Sequence, residues 1–363
     1  MKKIVSIIIA AALALSLAAC GADSSASSAD SGKKASSAAS GSADNSGAGA
    51  SASSQQGGSA GAGNLAVTEI PHLTDTRPEE YKENTFTTLN GDEVTYNMNT
   101  RKIVCIFGSQ DVVAFGIPLL AYEGSTEIEG YEEYYEGAEA LLNTSPFSPE
   151  EVMAYEPELI LVNQKMGESQ IEQLSKIAPT IPLYTDSIDF AQRLSYIGEI
   201  FGLQDSAQQL IDYADSLREN MVAQLKALDL SDKTLTIFTY MGNVTIPPDR
   251  GWFMNTIIYD YAGLKRLPNV EDFMTDESGM AYEAISSEKL REYEGDLVIF
   301  AGFGEKTITT YVSENPGWQA LKAVQENRVG VMDITPYAQK GIILLQDQYQ
   351  QVLDALKTAA GKA

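Results

Sequence analysis

The sequence predicts an α/β protein of two Rossmann-like lobes joined by a single long backbone helix. Three observations point there. Short continuous apolar runs alternate with segments of helical spacing, as in sheets whose strands are buried on both faces. Midway through the folded region an apolar stripe recurs on a 3.6-residue period. The stretch SPEEVMAYEPELILV (148–162) is nearly restated as SSEKLREYEGDLVIF (286–300).

Lys2 and Lys3 precede an apolar run from Ile4 to Leu17, the layout of a signal peptide over residues 1–19. At about fourteen residues the run is shorter than the roughly 20 a spanning helix needs. The sequence LAAC, ending at Cys20, resembles the bacterial lipobox, in which the cysteine is lipidated and becomes the first mature residue. Residues 20–63 are almost wholly Ser, Ala and Gly and read as a flexible tether without side chains to bury. What remains suffices for two lobes of ordinary size: 64–188, connecting helices over 189–229, and 230–363.

Phe86 to Met98 alternates around Asn90-Gly91, the signature of a tight hairpin turn. KIVCIF (102–107) and ELILVN (158–163) read as buried strands, with Cys105 a small buried hydrophobe. Ser148 caps a short helix that has Pro149 at its first position. Phe190 to Phe201 reads as a helix stopped at Gly202. After it, Asp205 or Ser206 caps a longer one in which Leu210, Ala214, Leu217, Met221, Leu225 and Leu228 form one stripe. From Ser206 to Leu228 that helix would run about 34 Å, enough to bridge two lobes. TLTIFTY (234–240), DLVIFAG (296–302) and RVGVMDI (328–334) continue the strands, and Gly341 to Leu356 closes the chain as a helix.

In the repeated stretch Ser148, Glu150, Tyr155, Glu156 and Leu159 correspond to Ser286, Glu288, Tyr293, Glu294 and Leu297. Each copy predicts a capped short helix, a tight acidic turn and a buried strand. With RKIVCIFGSQDVVAFGI (101–117), SPEEVMAYEPELILVN (148–163), the Phe190–Leu228 helices and GWQALKAVQENRVGVMD (317–333), the chain resembles the helical-backbone solute-binding proteins of ABC importers. That family delivers ferric siderophores, haem or cobalamin to a permease. The resemblance covers essentially all of residues 86–358. It implies a ligand cleft between the lobes, and one exposed glutamate on each lobe that pairs with arginines of the permease dimer. Those positions fall on Glu150 and Glu288.

The resemblance places ligand at loops after the strand ends: 108–111, 163–168, 240–252, 302–307 and 335–341. Arg250 and Trp252 lead the candidates, a guanidinium for chelate oxygens and an indole for the apolar frame of the ligand. Tyr240, Lys165, Gln164, Phe303 and Tyr337 follow. A ferric siderophore or similar chelate is the expected ligand. Its iron arrives with the chelate, so no cofactor and no protein metal ligand is expected, and haem or cobalamin on the same fold is the alternative. Hydroxamates are favoured over polyanionic catecholates, because the candidate loops carry only Lys165, Arg250, Lys306 and Lys340 as cations. The acidic stretch 122–141 reads as a solvated face.

Composition excludes other classes. The chain has 25 Lys and Arg against 50 Asp and Glu, which disfavours nucleic acid. The single histidine, His72, cannot build a bare zinc or manganese site, nor a Ser-His-Asp triad without a role this position does not suggest. GFGEKT (302–307) lacks the glycines of a phosphate loop. A non-enzymatic, extracytoplasmic, lipid-anchored monomer is therefore expected, with small domain motion about the stiff helix. A surface adhesin is the alternative of a different class.

Overall fold

Strand-forming apolar runs need both faces covered, and in the computed structural model two sheets, one all parallel and one parallel but for an edge strand, meet that need around one shared core. The structure describes residues 66, 68–123, 130–141, 147–184, 189–240, 244–246, 256–271, 285–302, 314–333 and 341–362, all within one compact unit, 58–363. The signal segment, Cys20 and the tether lie outside the described residues.

The entry hairpin pairs β1 (Glu83–Thr87) with β2 (Glu93–Asn97), with Phe86 opposite Val94. Its turn is wider than the two-residue type expected at Asn90-Gly91. Thr88 N–H donates to the Asp92 carbonyl at 2.8 Å and Gly91, at φ 87°, donates to Thr88 at 3.0 Å, closing a five-residue loop. Ahead of the hairpin, residue 66 and residues 68–77 run across the molecule. Asn220 donates to the Ala66 carbonyl at 3.3 Å, and Thr68 N–H donates to Gln346 Oε1 at 3.1 Å. Leu73 passes so close to Gly116 that a Cβ there would lie 2.5 Å from its carbonyl oxygen.

The first sheet has the order β5-β4-β3-β6-β7, all parallel, from β3 (Ile103–Cys105), β4 (Ala121–Glu123), β5 (Glu139–Leu141), β6 (Leu159–Asn163) and β7 (Thr180–Leu183). Strand order reverses between β3 and β6, the place where open α/β sheets form ligand crevices at their carboxyl edge. Helices α1 (Ser109–Val113), α2 (Pro149–Ala154) and α3 (Glu168–Leu174) connect these strands.

Two helices follow. In α4 (Phe190–Phe201), Asp189 caps the start by accepting from Gln192 N–H at 3.0 Å, and Gly202, at φ 67°, ends it. The long helix α5 (Gln204–Ala227) buries the predicted stripe of Leu210, Ala214, Leu217, Met221 and Leu225. It begins earlier than expected: Leu203 holds the cap position and Asp205 lies within the first turn, where a carboxylate favours the helix dipole.

The second sheet has the order β11-β10-β8-β9, from β8 (Leu235–Tyr240), β9 (Val244–Thr245), β10 (Leu297–Gly302) and β11 (Val329–Asp333), with only β9 antiparallel. The trio β8, β10, β11 repeats the arrangement of β3, β6, β7. Around it lie α6 (Pro268–Glu271), a 3-10 helix (Ser287–Tyr293), α7 (Pro316–Gln319) and α8 (Lys322–Gln325). The closing helix opens as a 3-10 turn at Ile342–Leu344 and continues as α9 (Leu345–Ala359).

Successive strand residues point to opposite faces, and each apolar run therefore feeds two cores. Ile103, Cys105, Leu159 and Leu161 of the first sheet join Leu235, Ile237, Leu297 and Ile299 of the second in one central cluster, with α4, α5 and α9 between them. Val104, Ile160 and Val162 pack outward with Val152. Phe238, Val298 and Phe300 pack outward with Leu290 and Trp318, whose ring sits edge-on to Phe238 and Phe300 at 5.2 and 4.7 Å.

Candidate functional site

Two groups of residues stand out at the carboxyl edges of the sheets: the exposed glutamates of the repeated stretch, and a buried polar cluster after β3.

The repeat builds corresponding elements. Ser148 accepts from Glu151 N–H at 3.2 Å and Pro149 opens α2, as the capping pattern requires. Val152 fills the outer core of the first sheet and Leu290 that of the second. The second copy departs from expectation in being a 3-10 helix whose Ser286 makes no side-chain cap to a backbone N–H. Asn315 caps α7 nearby and its amide donates to Ser287 Oγ at 3.1 Å. Glu150 and Glu288 are both exposed. Ser148 Oγ donates to Glu150 at 3.2 Å, while hydrogen bonds from its own backbone and Ser286 hold the Glu288 carboxyl below its usual range. Each begins near a carboxyl edge: α2 returns from β5 toward β6, and Ile285, just before the 3-10 helix, donates to Val244 of β9 at 2.8 Å.

Of the ligand candidates, Gln164 and Lys165 lie together after β6. Gln164 N–H donates to the Leu183 carbonyl at 3.1 Å and Lys165 N–H to Asn163 Oδ1 at 2.7 Å, which fixes the start of that loop; the Lys165 side chain is exposed. Tyr240 ends β8, half-buried, opposite Val244. Arg250, Trp252, Phe303 and Tyr337 lie outside the described residues. His72, given no role, is exposed and stacks on Tyr134 at 6.5 Å.

The buried cluster is what the sequence reading missed. Residues 108–111 were expected to form a ligand loop. Instead Phe107 (φ 149°) and Gly108 (φ 86°) turn the chain sharply into α1, which buries Ser109, Gln110 and Asp111. Ser109 donates from N–H and Oγ to Glu123 Oε1 at 3.2 and 2.8 Å, and its hydroxyl lies 3.0 Å from Tyr135 Oη. Gln110 Oε1 accepts from Gly341 N–H at 2.9 Å. A Cβ on Gly341 would fall 2.1 Å from the Gln110 Cβ, so only glycine fits there. Asp111 Oδ1 accepts from Ile342 N–H at 2.8 Å and Oδ2 pairs with Arg193 of α4, whose guanidinium lies over Phe190 at 5.0 Å. Burial raises the Asp111 carboxyl, and the Arg193 charge and Ile342 N–H offset part of that. The cluster thus joins the first sheet, the connector and the segment entering α9. The signal for it was three consecutive polar residues directly after an apolar strand.

Glu123 also corrects the expectation that 122–141 is a solvated face. Glu132 and Glu133 are exposed, but Glu123 and Tyr135 turn inward. Glu123 Oε2 is buried with no hydrogen-bond partner. Desolvation raises its carboxyl from an ordinary 4.5 to about 7, the Ser109 hydrogen bonds pulling the other way. A carboxyl raised in the folded state binds more protons there than in the unfolded chain. Its contribution is fully present below about pH 4.5 and lost as pH rises through about 7. The size is on the order of 3 kcal/mol. Glu123→Gln is expected to flatten the decline in urea midpoint between pH 5 and pH 8; an unchanged slope would exclude this origin.

A cavity of about 560 Å³ lies at the opposite, amino edge of the second sheet, lined among others by Lys233, Thr234, Asp296, Lys322, Arg328 and Lys362. Its cations face Asp229, Glu294 and Asp296, and it lies away from the candidate loops. No group of three or more metal-ligating side chains occurs among the described residues, and no described helix is long and apolar enough to cross a membrane.

The periplasmic binding protein family matches residues 137–335, more than half of the chain. The chain belongs to that family. Among curated relatives, this periplasmic binding protein is 29% identical over 199 residues to the iron-uptake system-binding protein of Bacillus subtilis, covering 53% of this chain and 60% of that one. It is 27% identical over 210 residues to the iron(3+)-hydroxamate-binding protein FhuD of the same organism, covering 58% and 66%. The chain thus spans about three fifths of the length of the curated relatives it matches. Among solved structures, the petrobactin-binding protein YclQ of B. subtilis aligns with a TM-score of 0.61 at 17% identity, over 76% of this chain and 99% of that one. The triscatecholate siderophore-binding protein FeuA of B. subtilis, complexed with ferri-bacillibactin, aligns at 0.58 and 23%, over 77% and 97%. These likenesses bear out the two-lobed α/β fold.

Proposed function

We propose that this periplasmic binding protein captures a ferric siderophore outside the cytoplasm and hands it to the permease of an ABC importer, with Cys20 lipid holding it to the membrane. One observation carries the reading. Val152 and Leu290 anchor corresponding elements on the outer faces of two like sheets, so Glu150 and Glu288 project at corresponding places beside the carboxyl edges. A transporter of two subunits is gripped by two such points. The protein acts as a monomer and does no chemistry on its cargo; the iron enters already coordinated by the chelate.

Ligand binds at the carboxyl-edge loops, with Arg250 and Trp252 as principal contacts and Tyr240, Gln164, Lys165, Phe303 and Tyr337 around them. The candidate loops carry few cations, which favours hydroxamates over catecholates. The relatives are described as binding proteins for iron–hydroxamate, ferric citrate and triscatecholate ligands, so the chelate class is the point to test. Intrinsic fluorescence of residues 64–363 is titrated with ferric hydroxamates, catecholates and citrate, and with haem, cobalamin and the iron-free chelators. Saturable quenching by a ferric hydroxamate, weakened at least tenfold in Arg250→Ala, is the expected result. Silence across the panel from folded protein would overturn the reading in favour of an adhesin.

A further inference from the structure

At their amino edges the two sheets are entered alike, with one difference. Ile103 pairs with Leu159 in the first sheet and Leu235 with Leu297 in the second. One residue earlier the match continues: Leu159 N–H donates to the Lys102 carbonyl at 3.2 Å, and Leu297 N–H to the Thr234 carbonyl at 3.0 Å. One step further out, Arg101 and Lys233 therefore hold corresponding places. In the first sheet that place carries a carboxylate. Arg101 Nε lies 3.2 Å from Asp75 Oδ2, and Arg77 Nε lies 2.8 Å from Asp75 Oδ1. In the second, Lys233 lines the cavity of about 560 Å³, and its side chain makes no hydrogen bond or ion pair among the described residues.

Other cations converge on the same space. Hydrogen bonds from Thr234 hold the Asp296 carboxyl below its usual range, and the charges of Lys233 and Lys322 lower it further, so both ammonium groups stand near one point. Lys322 otherwise meets only Glu326, at 3.8 Å. Arg328, paired with Glu326, also donates to the Ala359 carbonyl at 3.2 Å, and Lys362 donates to the Leu228 carbonyl, which fixes both in the wall. Two of the three lining carboxylates are engaged by the fold. Asp296 Oδ2 accepts from Thr234 N–H at 2.9 Å and from its hydroxyl at 3.1 Å, and Glu294 Oε1 accepts from Ala323 N–H at 2.8 Å. Cations thus outnumber acids here, in a chain with 25 Lys and Arg against 50 Asp and Glu. We propose that this cavity is a second ligand site, which takes a carboxylate between Lys233 and Lys322 as Arg101 takes Asp75, with room for another beside Arg328 and Lys362. Its ligand is a dicarboxylate, either a small acid or an acidic peptide; charged donors bond such groups more strongly than neutral ones do. The site lies at the opposite edge from the chelate loops, so the two ligands do not compete.

Calorimetric titration of the full-length chain at low ionic strength with succinate, with an acetylated Asp-Glu-Asp peptide amide and with inorganic phosphate tests this. The expected result is saturable binding of succinate or of the peptide, weakened by added salt and at least tenfold in Lys233→Glu with Lys322→Glu. Both lysines are exposed, so the exchange leaves the core untouched. Lys233→Gln alone is expected to give a smaller loss in the same direction. A peptide at least tenfold tighter than succinate assigns the ligand to acidic chain segments, and otherwise it is a free acid. Saturation by neither, phosphate binding as tightly, or binding unchanged by the double substitution would overturn the inference. Ferric chelate binding by the double variant is expected to match the parent; a parallel loss would place the carboxylate in the cleft and overturn it too.

Discussion

Replacing Asp111 with alanine is expected to destabilise the protein by about 3–5 kcal/mol, the cost of leaving a buried charge without its partner. Asp111 and Arg193 are both almost fully buried, and the carboxylate also takes the Ile342 N–H. The substitution therefore takes this carboxylate from the guanidinium and the backbone donor together. It also leaves the segment entering α9 held on α1 by the Gly341–Gln110 hydrogen bond without that of Ile342, so the loss extends beyond one ion pair. Asp111→Asn keeps an acceptor for Ile342 and removes only the charge, and a smaller loss is expected. Urea unfolding of the two variants checks this; a loss under about 1 kcal/mol for the alanine variant would show that Arg193 finds other compensation.

Removing both exposed glutamates, Glu150→Ala with Glu288→Ala, is expected to bring ferric siderophore uptake to background while the chelate binds as tightly as before. In the free protein both side chains are solvated, and ion pairs at such positions contribute about 0–1 kcal/mol. Folding is therefore indifferent to their loss. In the proposed permease complex the same carboxylates would be desolvated and paired, where truncating one partner costs about 2–5 kcal/mol. Two such losses exceed what a transient complex can tolerate. Uptake assays beside fluorescence titrations separate the effects, and unimpaired uptake in the double variant would refute the docking role.

The architecture was legible because burial on both faces leaves a continuous apolar signature. KIVCIF and DLVIFAG became central strands, and the α5 stripe was buried position for position. Hydrophobic spacing reports which residues are buried, not what covers them, and the misses follow from that. Ser286 and Ser148 look alike as letters, yet one caps an α-helix and the other precedes a 3-10 helix whose neighbour Asn315 supplies the local hydrogen bonding. Glu123 reads as one acid in an acidic run; it is buried because Ser109 and Tyr135, from two other elements, close over it. Arg193 sits in an amphipathic helix and gives no local sign of a partner 82 residues away. Of the candidate site, the repeat made legible only that Glu150 and Glu288 stand exposed on corresponding elements.

The joint between Gln110 and Gly341 also sets an order of assembly. Its partners are 231 residues apart, and Thr68 waits for a side chain 278 residues downstream. A chain that emerges amino end first can pair β3 with β4 early and bring Glu123 and later Arg193 to α1, but α1 lacks Gly341 and Ile342 until they arrive 231 residues later. Contacts of such sequence separation form late, since the entropy of closing the loop must be met before they contribute. One side of the polar cluster therefore stays open until Gly341 and Ile342 reach it, and the segment that leads into α9 completes the joint between the two sheets late.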